Sequence, residues 1–291
     1  MSQIESKYKK KSQVGEIWRR LKKNRAAMVG LVILSIFALS AIFADVLANY
    51  DKMVIAQNVR ERLLPPSSHH LFGTDEYGRD VFARIVHGAR VSLTIGLSTV
   101  SISILIGGII GSMAGFYGGI IDTIIMRIMD TMQAIPPILL ALALVSALGP
   151  GMTNLLIAIT VATFPGYTRI IRSVILPVVG QEFVEAARAC GTGDRRIILR
   201  HILPNAIGPI IVQSTMAVAQ LIIATAALSF IGMGIQPPKP EWGAMLAGSR
   251  EYMRTSPYLV IFPGLAIVLA ALSLNLLGDG LRDALDPRLK N

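Results

Sequence analysis

Apolar residues run along this chain in blocks rather than at amphipathic spacing. Six blocks reach the ~20 residues that a helix needs to cross bilayer hydrocarbon. They cover about residues 26–48, 91–116, 120–148, 154–176, 206–231 and 257–277. The third is interrupted by Pro136-Pro137 and the fourth contains Pro165-Gly166; each is expected to mark either a kink at a path through the membrane or a packing feature. The first block is longer than a signal-peptide core and follows 25 polar residues, so a retained anchor is expected. The pattern predicts an all-α integral membrane protein with six transmembrane helices. Its parts are a cytoplasmic amphipathic segment 1–25, a first span 26–48, an extracytoplasmic loop 49–90, a five-helix core 91–278 and a cytoplasmic tail 279–291.

Charge sets the expected orientation. Lys7, Lys9, Lys10, Lys11, Arg19, Arg20, Lys22, Lys23 and Arg25 precede the first span, which holds the N-terminus in the cytoplasm. Six spans return the C-terminus to the same side. This orientation places nineteen Lys and Arg inside and nine outside. Six of the nine lie in the loop 49–90, which is long and also carries Asp51, Glu61, Asp75, Glu76 and Asp80. Residues 14–28 read as an amphipathic lead-in, with Trp18 at the interface. Charged residues are 16% of the chain, against roughly 25% in soluble domains. The net charge of +10 sits at block ends, a topology pattern and not a nucleic-acid footprint.

Little in the chain is built for catalysis. There is no G-x-x-x-x-G-K-[ST], G-x-S-x-G, H-E-x-x-H or C-x-x-C motif, so an enzyme is not expected and ATP is not expected to bind through a phosphate loop. The single cysteine, Cys190, forms no intrachain disulfide or cysteine cluster. His69, His70, His87 and His201 are expected as solvated loop residues, not metal ligands. Within the third block Arg127 and Asp130 are three apart and can pair on one helix face, beside Asp122; a neutralised interfacial pair and a contact to a partner or gate are both open. Gln133, Gln213, Gln220, Thr225, Ser229 and Asn275 are polar residues inside spans. Gln213 and Gln220 are seven apart and share a face. Lining of a transport path and plain interhelical hydrogen bonding are equally good readings.

The segment 181–209, QEFVEAARACGTGDRRIILRHILPNAIGP, falls between the fourth and fifth spans. Glu182 to Cys190 favours helix. Gly191 and Gly193 are expected to end it through positive φ, and Asp194 to cap a second helix ahead of Pro204. Exposed Ala186, Ala187 and Ala189 would let another surface approach closely. On composition alone an ordinary basic inner loop is the better reading.

The spacing decides between them. Glu185-Ala186-Ala187, three residues, Gly191, and Leu203-Pro204 twelve residues later resemble the EAA loop of ABC importer permeases. His201, where the family pattern often has an apolar residue, is a departure, and RHILPN resembles the dipeptide, oligopeptide and nickel branch. Residues 69–93, 232–246 and 275–289 are similar to the outer segments and C-terminus of that branch's second permease subunit, so the likeness covers nearly the whole chain. It implies the type I ABC importer permease fold and a non-catalytic permease for dipeptides or short peptides. Nickel or another small solute is the alternative within the branch, and a stand-alone carrier or channel the alternative outside it. It implies four kinds of partner: a homologous second permease, two ABC ATPases that carry the ATP and Mg, an extracytoplasmic binding protein, and membrane lipid. It also implies that Glu185, Ala186, Ala187, Gly191, Asp194, Arg195, His201, Leu203 and Pro204 form the coupling loop.

Overall fold

The apolar blocks are helices in the computed structural model, which describes residues 13–285. The elements are α1 (Gln13–Leu21), α2 (Arg25–Ile42), α3 (Ala44–Leu47), α4 (Val81–Tyr117), α5 (Gly119–Gln133), α6 (Pro137–Leu148), α7 (Met152–Val179), α8 (Glu182–Ala189), α9 (Asp194–Ile197), α10 (Leu203–Phe230), α11 (Trp242–Gly248) and α12 (Tyr258–Leu285). No strand occurs among the described residues; the one β-type pairing is an isolated bridge, Thr74 to Asp80.

Five helical stretches are long and apolar enough to span a membrane: α2, α4, α7, α9 continuing into α10, and α12. The pair α5–α6 meets the same length and apolarity only when taken together, across a 76° bend. Its cause is local. A residue before proline is pushed out of helical geometry, and Pro136, before Pro137, is extended at φ −52°, ψ 132°. Pro165 and Pro177, by contrast, lie inside the unbroken α7.

The helix α4 starts ten residues before its apolar block, because the Asp80 carboxylate accepts from Ala83 N at 2.9 Å and caps it. It packs on α7 through glycines. Gly107, Gly111 and Gly115 recur every fourth residue, and a Cβ on Gly111 would lie 2.5 Å from the Thr168 carbonyl. Small residues at this spacing bring helix backbones into contact. At one end of the bundle, residues 49–80 and 232–256 form a cap. Trp242 of α11 is fully buried there and donates through Nε1 to Ile85 O at 3.1 Å. Its ring occupies the space above Gly88, where a Cβ would come within 2.9 Å of it. At the opposite, loop-bearing end, Ile17 and Leu21 of α1 pack on Leu277, Leu281 and Ala284 of α12. Trp18 stays largely exposed, 5.1 Å from the Lys22 ammonium.

Two expectations are corrected here. His87 is not a solvated loop residue: it lies within α4, 3% exposed, with Nε2 2.9 Å from Ala48 O. His70 is half-buried with its ring 2.9 Å from Asp80 Oδ2, whereas His69 is exposed. The pair Arg127–Asp130 does not form. Asp130 pairs with Arg169, and Asp122 with Arg172, both on α7. Helix-to-helix partners win because α5 lies along α7, and an acid facing a neighbouring helix meets that helix's arginine before one on its own turn.

Candidate coupling loop and polar cavity

The loop 181–205 is anchored from within. Val184 is fully buried and packs with Phe116, Ile171, Ile175, Ile197, Ile202 and Ala206, a cluster that draws on α4, α7, α9 and α10. Glu185, Ala186 and Ala189 face out, whereas Ala187 is half-buried against the cluster, so two of the three alanines are free for a partner. The Arg188 guanidinium lies 4.9 Å from the Phe116 ring and ties the outer face of α8 to the end of α4.

The helix ends in a Schellman motif. Gly191 N donates to Arg188 O at 2.9 Å and Thr192 N to Ala187 O at 3.0 Å, with Gly191 at φ +73°. Gly193 does not share this role: its φ is −66°. Asp194 is not the cap of the next helix either. Gly193 occupies that position, and Asp194 is the first helical residue, where its charge suits the helix dipole. Nor is α9 a separate short helix. It passes through a wide turn at 198–202, which includes His201, into Leu203 and Pro204 at the start of α10. Pro204 has no N–H to return to the preceding turn, and the wider winding absorbs that loss.

A second feature lies between the α5–α6 bend, α7 and α10. A cavity of about 440 Å³ is lined by Gln133, Thr163, Tyr167, Gln213 and Gln220 together with apolar residues, and no charged residue lines it. None of the three glutamine side chains has a partner within the described residues. The Tyr167 hydroxyl is buried and also unpaired. Each glutamine offers one acceptor and a donor pair, so the lining complements peptide-like amides without discriminating charge. Asn275, half-buried on α12, does not line this cavity.

At the cap end, Asp75 accepts from Arg79 Nε at 2.7 Å and from the backbone N–H groups of Tyr77 and Arg79. Arg84 lies 3.4 Å from the same carboxylate and donates to Val54 O at 3.0 Å. Burial, with Asp75 nearby, raises the Glu76 carboxyl above the usual carboxylate range. Glu241 is 1% exposed and caps α11 by accepting from Gly243 N and Ala244 N; burial raises its carboxyl too, against the pull of those hydrogen bonds. Residues 73–80, GTDEYGRD, are thus a packed, turn-rich part of the cap. Its Gly73 and Gly78 are not free hinges, since a Cβ on Gly78 would lie 1.9 Å from Asn58 O.

Sequence reasoning missed Val184, Phe116 and Tyr167. Val184 and Ala187 are three apart, and helical periodicity marks them as one inward face. The places of Phe116 and Tyr167 depend on how helices pack, and no local pattern encodes that.

A bundle of membrane-length helices, one of them broken beside a polar cavity, with an anchored amphipathic loop at one end, defines a membrane transport subunit. Residues 107–291 match the model of the binding-protein-dependent transport system inner membrane component, and residues 12–66 match that of the N-terminal TM domain of oligopeptide transport permease C. The chain belongs to this family of binding-protein-dependent permeases. It is 47% identical over 287 residues to a dipeptide transport system permease protein of Alkalihalophilus pseudofirmus, covering 99% of this chain and 94% of that one. It is 44% identical to a di/tripeptide transport system permease protein of Pseudomonas aeruginosa, covering 96% and 94%. The fold is shared with the inward-facing MetNI methionine ABC transporter at a TM-score of 0.58 and 18% identity, over 70% of this chain and 97% of that one.

Proposed function

We infer that this chain is one of two permease subunits of an ATP-driven importer for dipeptides and other short peptides. Membership of the permease family and the full-length likeness to two peptide permeases support the substrate class. The loop end faces the cytoplasm, in line with its excess of Lys and Arg. There α8 seats on one of two ABC ATPases, which bind ATP and Mg. The cap faces outward and receives the substrate-binding protein. A homologous second permease closes the path along the face of the glutamine-lined cavity.

The observation that carries this reading is the construction of α8. Its outer surface carries exposed Glu185, Ala186 and Ala189 beside the exposed Phe183 ring, while Val184 locks its inner face to α4, α7 and α10. A movement of the partner at this foot is delivered to three spans at once. Coupling requires contacts that differ between the two states of the ATPase, and the tight Gly191 turn prevents the foot from yielding.

The cavity supports the peptide reading in a second way. Three unpaired amides exchange hydrogen bonds with a passing peptide backbone and leave side-chain charge unread. A photo-crosslinker at Ala186 in the assembled importer tests the docking. The expected product joins this chain to an ATPase subunit, and a crosslinker at buried Ile197 gives none. A product only with lipid, or none at Ala186, overturns the reading.

A further inference from the structure

Beside the loop, Arg195, Arg196 and Arg200 line a shallow recess, wide open to its surroundings, with Gly193, Asp194 and Leu199. All three arginines are exposed. Within the described residues, none of their guanidinium groups has an ion pair, a hydrogen bond or a ring contact. Asp194 is the one acid of the recess, so its lining is net positive.

The recess opens into an apolar groove of about 780 Å³ between α4 and α10, and Arg195 and Leu199 line both. Leu105, Ile109, Met113 and Tyr117 line one wall, and Ile207 and Ile210 belong to the other. Leu105, Ile109, Met113, Tyr117 and Ile207 are exposed. From Leu105 to Tyr117 a helix rises about 18 Å, close to the ~15 Å depth of one leaflet's hydrocarbon. The groove therefore ends in guanidinium groups at the membrane surface and runs as an apolar trough to about the bilayer centre.

We propose that recess and groove form one site for an anionic phospholipid, its phosphate on Arg196 and Arg200 and an acyl chain along α4. The proposal rests on the membrane placement given under Proposed function. A soluble ATPase reaches the foot but not a trough at hydrocarbon depth, and a neutral lipid leaves three guanidinium groups without a counter-charge. Arginine forks suit phosphate oxygens, and basic recesses between spans select anionic headgroups. Such a lipid would brace the segment that joins α8 to α10 against α4, so the leaflet's charge would bear on coupling.

The test uses the assembled importer, equilibrated with vesicles of phosphatidylcholine containing phosphatidylglycerol and then examined by native mass spectrometry. The wild type is expected to retain phosphatidylglycerol over phosphatidylcholine. Each arginine is worth about fivefold near an anionic surface, so the pair Arg196→Gln with Arg200→Gln should lower retention roughly thirtyfold. Gly108→Leu keeps every arginine but fills the trough, since a Cβ there meets only Ile171 Cδ1 at 3.8 Å; it should also release the lipid. Retention without preference for phosphatidylglycerol, or unchanged in both variants, overturns the proposal. So does a photo-crosslink from Leu105 to the second permease in place of lipid. Peptide uptake measured on the same preparations separates this result from the permease reading, because uptake fails if the chain is no permease whatever lipid it retains.

Discussion

Gly191 carries a conformational demand and no steric one. Its φ of +73° is one that residues with a Cβ avoid, yet a Cβ there would meet nothing within 4 Å. Gly191→Ala should therefore cost about 1–2 kcal/mol, confined to the loop, and show as faster amide exchange over 182–192 with the bundle's melting temperature unchanged. Glu241 makes a prediction in pH. Its folded-state carboxyl titrates above the usual carboxylate range because it is buried. Between the two values the folded protein holds more protons than the unfolded one, so stability is greatest below the usual range and falls as pH rises through the raised value. Glu241→Gln removes the charge and should flatten this slope when melting in detergent is followed from acidic to neutral pH; an unchanged slope would assign the dependence to another group. The same residue shows what sequence could not reveal. Glu241 and His87 look like loop residues by composition, and only the folding of 49–80 over 232–256 buries them. Gly191, whose turn follows from its place after a helix-forming run, was fully legible.

At the scale of elements, the clamp between α5 and α7 has unequal halves. Asp122–Arg172 is well shielded, with side chains 17% and 26% exposed, and Arg172 donates through two nitrogens. Asp130–Arg169 is about half exposed on both sides. Asp122→Asn should cost about 2 kcal/mol, and Asp130→Asn less than about 1 kcal/mol because solvent screens that pair. Thermal melts of the two variants give the order, and equal losses would show that exposure does not govern it. The existence of the spans was readable from apolar runs, and the break in the third from Pro136-Pro137. Partner choice was not. Arg127 and Asp130 fit a helical pair by spacing, but Arg169 and Arg172 stand opposite only once α7 is packed. The Gly107, Gly111 and Gly115 stripe was present as a period of four, and its meaning depends on the helix it meets.

Over the whole molecule, the loop foot, the cluster around Phe116 and the glutamine cavity are built on the same helices. Val184 and Ile197 belong to the same cluster as Ile171 of α7 and Ala206 of α10, and α7 and α10 also line the cavity. On the proposed coupling role, a displaced foot displaces the cavity walls, and Gln133 sits at the end of α5, at the α5–α6 bend. Gln213→Leu with Gln220→Leu should slow peptide uptake roughly thirtyfold, on the order of one hydrogen bond of about 1 kcal/mol lost per site, and leave ATPase docking intact. The place of the loop between α7 and α10 was legible from the spacing of Glu185, Gly191 and Pro204. The cavity was legible only as the shared face of Gln213 and Gln220, since Tyr167 and Gln133 join it through the tertiary fold. The most direct test is binding-protein-dependent peptide uptake by vesicles holding the complete importer, with Glu185→Lys in the foot and ATP hydrolysis recorded in parallel. Uptake lost while the permease pair stays assembled and the ATPases still turn over is the predicted result; uptake and hydrolysis both at wild-type rates would contradict a coupling role for the loop.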